Sequence, residues 1–506
     1  MDSARQSAID RVFQEILLAR QRVYAVSPPT PLERLPLDFA GAVYLKREDI
    51  SPIHAYKWRG AYNRMALLDE TERAIGVVTA SAGNHAQGVA LAAQRLGVDA
   101  QIFMPTSTPR MKQVSVLRLG GDRVKVVLHG DTYDAAASLA KDVAATEQRV
   151  FVHPYDDYAT MGGQGTLADE VVMSGQGPFD IAYLQIGGGG MAASVACWLK
   201  HFYPKIRIVG VEGTDQASMR AAIKAGGPVT LDYVDVFCDG TAVKRVGNLT
   251  YPICDALLDD IVTVSNEEVC AAIQMTWETL RVVPEPSGAM GLAGFMKQRN
   301  ELGNARVLCI LCGANMDFGQ LAWIAQHAGI GAARRRYYRF HIGETQGALL
   351  GLLETEMDGL NICDFQYGKV HENEAWPVIG VEASAPELDL LDRRLKEHGV
   401  PFEVVTSAED VEFRIIHYNS AAFHLPYFIK LEFPERAGAL HDFLVLVRGL
   451  ANICYFNYQF TGEQVGHALL GFEFHSEEAR ASFKQTLAHS HYAYREIGED
   501  VLSRVL

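Results

Sequence analysis

Beyond Arg334–Arg336 the chain repeats itself without a gap. A shift of 91 positions carries Glu344 to Glu435, and Gly347, Ala348, Leu349 and Leu353 to Gly438, Ala439, Leu440 and Leu444. The same shift carries Asn361, Ile362, Cys363, Phe365 and Tyr367 to Asn452, Ile453, Cys454, Phe456 and Tyr458. Ten identities in one register mark a duplicated unit, so whatever this segment folds into, it folds into twice. Each copy reads strand, helix, strand, strand. In the second, Ile429, Leu431 and Phe433 alternate with polar neighbours, while Leu440, Phe443, Leu444 and Val447 fall on one helix face. That order is a small ferredoxin-like α/β module. Neither copy pairs a nucleophile with a base or gathers metal-ligating side chains, so the tail reads as a region for ligand sensing or assembly.

The first 330 residues alternate short β-rich runs with helical stretches, the pattern of an α/β protein with a largely parallel sheet. Residues 42–46, 76–80, 101–105, 123–128, 181–186, 206–212 and 306–311 read as strands, near-continuously apolar as buried parallel strands are. With 506 residues the chain has room for about three domains, expected at 1–330, 331–425 and 426–506. Sixty-one acidic against 46 basic residues give a formal charge of −15, and no basic block reverses this locally, which argues against nucleic-acid binding. No apolar run approaches a membrane span. The start, MDSARQSAIDRVFQEILLAR, spaces Ile9, Val12, Phe13 and Ile16 as a helix does and lacks the basic start and apolar core of a signal peptide. A cytoplasmic location is the expectation. Of eight cysteines, only Cys309 and Cys312 form a C-x-x-C, with no second pair or histidine pair to complete a zinc set; no metal site and no disulfide framework are expected.

Four strand ends carry possible chemistry. The run YLQIGGGGMAASVACWLK is a strand, four glycines and a helix, suited to phosphate because glycines admit close backbone approach and a helix start offers free N–H groups. Gly187, Gly189 and Ala192 also satisfy G-x-G-x-x-A, with Glu212 20 residues after Ala192, so the stretch alone would equally serve a nicotinamide-dependent dehydrogenase. Lys57 precedes Arg59 and Gly60 at the start of a helix. The turn SAGNHAQG lies between strand and helix and presents backbone N–H groups to a carboxylate. CGAN, residues 312–315, ends another strand. Open α/β sheets bind ligands at the carboxyl ends of their strands, so the four belong near one another.

Taken together, the H-x-x-K-x-R-G segment, SAGNHAQG, GGGG, EPSGA (285–289) and the CGAN strand end resemble pyridoxal-phosphate enzymes of the tryptophan-synthase-β fold type, and most closely the biosynthetic threonine ammonia-lyases. The resemblance spans almost the whole chain. It implies a fold type II catalytic domain of two open α/β subdomains, followed by tandem ACT-like α+β modules that sense amino acids. It also implies β-elimination of ammonia from L-threonine to give 2-oxobutanoate, the first step of isoleucine biosynthesis. Isoleucine as inhibitor, valine as its antagonist and a homotetramer come with the same resemblance.

By the same resemblance Lys57 is the lysine that carries pyridoxal 5'-phosphate and Asn84 the hydrogen-bond partner of its ring hydroxyl. Gly187, Gly188, Gly189, Gly190 and Met191 form the phosphate loop, and Cys312 faces the ring nitrogen. Ser81, Gly83 and His85 lie in the loop that receives the substrate carboxylate. Freeing an ordinary lysine amine at neutral pH costs roughly 4.6 kcal/mol, which a cofactor-bound lysine avoids. Three features depart from the family's pattern. Cys312 stands where serine is usual, Ala55, Tyr56 and Trp58 vary the surroundings of Lys57, and Ala82 replaces the serine that related racemases use as a second base. Glu285 reads equally as a charge at a helix start and as a site group. Three alternatives remain: a related lyase acting mainly on serine or another β-substituted amino acid, a non-catalytic amino-acid sensor, and the dehydrogenase.

Overall fold

The strands expected within residues 1–330 form two sheets, as two open α/β subdomains require, in the computed structural model, which describes residues 3–503 apart from Glu435, Ala437, Thr461 and Gln464. The chain divides into two compact units, Met1–Gly331 and Ala332–Leu506. In the first unit the larger sheet runs in the order Leu32–Leu35, Ala42–Arg47, Arg306–Leu311, Ile181–Gln185, Arg207–Gly213, Asp260–Val264. Its first pair is antiparallel and the remaining neighbours are parallel. The smaller sheet, all parallel, is ordered Val124–Leu128, Ala100–Met104, Val77–Ala80, Val150–Phe151.

Every residue of the central strands Ile181–Gln185 and Val77–Ala80 is buried, which is why they read as unbroken apolar runs. The strands that the sequence pattern did not reveal, Leu32–Leu35, Val150–Phe151 and Asp260–Val264, all lie at sheet edges. An edge strand is partly solvated, so it carries polar residues or is very short, and the apolar signal fades. The helix Ser3–Tyr24 buries Val12, Ile16, Ala19 and Val23 and packs on the helices Tyr158–Met173 and Gly190–Phe202. Among the described residues no helix is long and apolar enough to cross a membrane.

The second unit holds, beside the short pair Ile342–Gly343 and Glu374–Ala375, a sheet of eight strands ordered Phe402–Val404, Arg335–Phe340, Val378–Glu382, Asn361–Gly368, Asn452–Gln459, Val465–Glu473, Tyr427–Pro434, Ala493–Glu496. The first four come from the first copy of the repeat and the last four from the second, in mirrored order. At the centre Phe365 lies opposite Tyr458 and Tyr367 opposite Phe456, so equivalent residues exchange places as a pseudo-twofold axis requires. The Phe365 and Phe456 rings stack with centroids 4.3 Å apart. Each copy also extends beyond strand, helix, strand, strand by a second helix, Ala385–Glu397 or Glu477–Ala488, and a fourth strand. Those helices bury only Leu388, Leu391 and Leu395, or Phe483 and Leu487, too narrow a stripe to stand out in the sequence. Glu435, the partner of Glu344 in the repeat, lies outside the described residues, as does the side chain of Phe433. All eight cysteines are buried and free.

Candidate active site

Segments far apart in sequence meet where strands of the first unit end. The Tyr56 backbone N–H donates to the Cys312 carbonyl at 3.1 Å, and Ala55 pairs with Gly313 in an isolated bridge. These contacts bring Lys57, the residue just before the helix Trp58–Ala66, to the end of strand Arg306–Leu311. Trp58 behind it is fully buried, which explains a bulky residue after the lysine. A cavity of about 430 Å³ opens at this point. Lys57, Asn84, Gly187, Gly188, Gly189, Gly190, Met191 and Cys312 all line it, with Tyr56, Tyr155, Gln185, Thr241, Glu285 and Ser287.

The glycine run has the form of an anion cradle. A Cβ on Gly188 would lie 2.3 Å from the Tyr155 ring, and one on Gly190 would lie 2.7 Å from Gln164 Oε1. Gly189 has φ +93°, a conformation that favours glycine. The helix Gly190–Phe202 begins there, and the N–H groups of its first turn have no carbonyl within the helix. Gln185 donates its amide nitrogen to the Ile310 carbonyl at 2.8 Å, while its buried Oε1 has no protein partner. A cradle that side chains would fill and an unpartnered acceptor fit a phosphorylated heteroaromatic ligand. Burial pushes the Lys57 amine below its ordinary pKa, against the opposing pull of Glu285 and Asp239. A lysine so placed gives up its proton more readily and is a better nucleophile. Burial likewise pushes the Cys312 thiol far up, so it stays neutral, its Sγ 3.5 Å from the Ser287 carbonyl oxygen.

Asn84 opens the helix Asn84–Leu96. Its Nδ2 donates to Glu285 Oε1 at 2.6 Å, and its Oδ1 accepts from Asn315 Nδ2 at 2.7 Å. Glu285 is the N-cap of the helix Pro286–Gln298, yet its side chain makes no capping hydrogen bond and faces the cavity instead. Burial, reinforced by Asp239, raises its carboxyl to about 7.

In the loop expected to receive the substrate carboxylate, the Ser81 hydroxyl accepts from the Gly83 N–H at 3.3 Å, and a Cβ on Gly83 would meet nothing within 4 Å, so the loop borders open space. The His85 side chain points elsewhere: it is 2% exposed, its Nε2 lies 3.0 Å from the Val152 carbonyl oxygen, and burial lowers its pKa to about 3. What the segment offers a ligand is its backbone N–H groups at the helix start. Glu212, the acid of the dinucleotide pattern, is fully buried and accepts from the N–H groups of Met219 at 2.7 Å and Arg220 at 2.9 Å. It caps the helix Ser218–Ala225 and is not available to a ribose, which removes the ground for the dehydrogenase reading. Tyr155 and Thr241 carry no sequence signal, whereas Gln185 lies in the strand before the glycines and Ser287 in EPSGA, where the motif marks the segment and not the side chain. Asn315 carried a signal in the CGAN strand end, but its bond to Asn84 is a product of the fold.

Comparison with known proteins agrees with this geometry. Residues 24–313 match the family described as pyridoxal-phosphate dependent enzyme, and residues 420–505 match the C-terminal regulatory domain of threonine dehydratase. The chain is 36% identical to the biosynthetic L-threonine dehydratase of Haemophilus influenzae, covering 94% of this chain and 93% of that one. It is also 36% identical to the Escherichia coli counterpart, over 91% and 90% of the two chains. Among solved structures, the processed form of threonine deaminase isoform 2 from Solanum lycopersicum superposes with a TM-score of 0.61 at 38% identity, covering 65% of this chain and 95% of that one. With its lysine, glycine cradle and duplicated tail in one chain, the protein belongs to the biosynthetic threonine dehydratases, pyridoxal-phosphate-dependent lyases that carry a C-terminal regulatory domain.

Proposed function

We propose that this cavity converts L-threonine to 2-oxobutanoate and ammonia by β-elimination, committing threonine to isoleucine biosynthesis. The observation that carries the reading is the meeting of Lys57, Asn84, the four glycines and Cys312 on one cavity. Pyridoxal phosphate, when bound, supplies a sink for the electrons left at the substrate's α-carbon. The protein's own groups do the rest. Lys57 would be the covalent anchor, and its amine, neutral once released from that link, would take the α-proton. Gly187 to Gly190 and Met191 would hold the phosphate with backbone N–H groups, and Asn84 would donate to the ring hydroxyl. Cys312 would offer the ring nitrogen a neutral thiol and not a carboxylate, which would limit charge spreading into the ring and favour prompt loss of the β-hydroxyl. Ser81, Gly83 and the N–H groups from His85 onward receive the substrate carboxylate. Ala82 has no proton to give on the opposite face, which disfavours racemisation.

Relative kcat/KM for threonine and serine tests the substrate; threonine is expected to be preferred, and a preference for serine would favour the related serine lyase instead. The cradle gives a second test. Gly188→Ala drives a methyl group into the Tyr155 ring, and cofactor affinity is expected to fall by tenfold or more, about one lost charge-assisted contact. An unchanged dissociation constant in equilibrium dialysis would contradict the assignment of the loop.

Regulation belongs to the same reading, with isoleucine as inhibitor and valine as its antagonist. The second unit holds a cavity of about 600 Å³, lined by Ile342, Leu349, Leu350, Phe365, Leu444 and Val447, with Glu344 at its wall. Apolar walls beside a carboxylate suit a branched amino acid with its ammonium group. Glu344 is held there by Tyr367 and by Asn452, whose Nδ2 donates at 2.7 Å. Isoleucine has to bind a less active state better than the active one for any inhibition to follow. Titrating isoleucine is expected to depress the rate and valine to restore it; a rate that ignores isoleucine would contradict this part. A homotetramer in the cytoplasm completes the proposal, and sedimentation velocity checks the assembly.

A further inference from the structure

We infer that Glu285 and Asn315 are positioning residues that hold the Asn84 amide at both ends, so that its remaining N–H is presented to the cofactor. The inference rests on the assignment of Asn84 to the ring hydroxyl made above. The chain of bonds starts at the buried Ile53, whose backbone carbonyl accepts from Asn315 Nδ2 at 2.7 Å. A carbonyl only accepts, so the end of the Asn315 side chain that faces it is the NH2 group. That same nitrogen donates to Asn84 at 2.7 Å, which fixes the oxygen end of Asn84. At the other end a carboxylate oxygen of Glu285 accepts from Asn84 Nδ2 at 2.6 Å. An amide that can flip in isolation is therefore set twice, by a donor on its oxygen and an acceptor on its nitrogen. The nitrogen has two hydrogens and Glu285 takes one. The other is left for a ligand in the cavity that Asn84 and Glu285 both line.

The surroundings are built around this relay. Glu285 is 3% exposed, and burying a carboxylate is costly unless it is bonded. Its backbone N–H donates to the Gly313 carbonyl at 3.1 Å, and a Cβ on Gly313 would lie 2.2 Å from Glu285 Oε1. The glycine of the CGAN strand end thus leaves the space that the carboxylate occupies. Asn84 follows a strand of the smaller sheet, whereas Asn315 follows a strand of the larger one, so the relay also ties the two sheets' strand ends together across the cavity.

A double-mutant cycle on the holoenzyme tests this, reading the cofactor dissociation constant and the visible absorption of the bound cofactor as well as the rate. Glu285→Leu keeps the bulk and removes the acceptor; it is expected to weaken cofactor binding about tenfold and to shift the band. Glu285→Gln keeps an acceptor oxygen and is expected to bind within about twofold of wild type. In an Asn84→Ala background, Glu285→Leu is expected to add nothing beyond about twofold. Asn315→Ala gives the same reading from the other end and serves if the leucine variant does not fold. Wild-type affinity in Glu285→Leu, a glutamine variant as weak as the leucine one, or a full tenfold loss without Asn84 would each overturn the inference. If wild type binds no cofactor, the functional reading falls and this falls with it. If wild type binds it normally and the cycle is additive, only this inference fails.

Discussion

Lys57→Ala is expected to lower kcat for threonine by about 10⁴-fold or more, since the proposed mechanism asks one side chain to serve as both covalent anchor and base. Stability is expected to change little, because the substitution removes an amine whose burial already works against its charge. The glycine cradle and Asn84 remain, so the variant is expected to retain cofactor by dialysis while losing the visible band of the lysine-bound form. Lys57→Arg is expected to be as inactive, because a guanidinium stays protonated at any working pH. A variant turning over within about tenfold of wild type would mean that another group takes the proton. Pairing the rate with a melting curve separates lost chemistry from lost fold.

Arg59→Met is expected to act in the opposite way, destabilising the first unit by about 3–5 kcal/mol. Arg59 lies two residues beyond Lys57 and is fully buried with Lys46, Glu48 and Glu170. Its Nε donates to Glu48 at 2.8 Å, and one of its terminal nitrogens donates to Glu170 at 3.0 Å. Thr30 adds a hydroxyl bond to Glu48 at 2.6 Å. Two cations and two carboxylates balance inside the core; removing Arg59 leaves Lys46 alone with both acids. Burial pushes the Glu48 carboxyl up, but Arg59 and then Lys46 outweigh it and hold the group below its usual 4.5. A depressed carboxyl contributes stability that is present above its unfolded pKa and is lost as pH falls below it. Wild type is therefore expected to lose stability as pH drops below about 4.5, and Arg59→Met to have lost much of that contribution already at neutral pH. Urea midpoints at two pH values check this; a loss under about 1 kcal/mol would contradict a role in stability.

What was legible in the sequence follows from how each feature is encoded. The glycine run, Lys57 and the SAGNH turn are local: the backbone needs those residue types in adjacent positions, so the pattern survives as a string. The repeat was legible because duplication keeps register. The split of the first unit into two sheets came from the resemblance and not from the strand pattern, because each buried parallel strand reads alike whichever sheet it joins. Glu285 shows the same limit within the site. Its sequence neighbours place it at a helix start, and only the fold shows that its side chain turns from that helix to Asn84, 201 residues away. His85 is the converse, a residue marked by its motif whose ring the fold commits to the Val152 carbonyl. Tyr155 was invisible because its task, closing over Gly188, depends on a contact that no spacing encodes.

The most direct measurement is the visible absorption of the purified wild-type protein, followed while threonine is added and 2-oxobutanoate and ammonia are assayed. A band from lysine-bound pyridoxal phosphate that changes on mixing, with the two products formed in equal amounts, is the expected result. Protein saturated with pyridoxal phosphate that shows no such band, or a band that threonine leaves unchanged with no 2-oxobutanoate formed, would contradict the account.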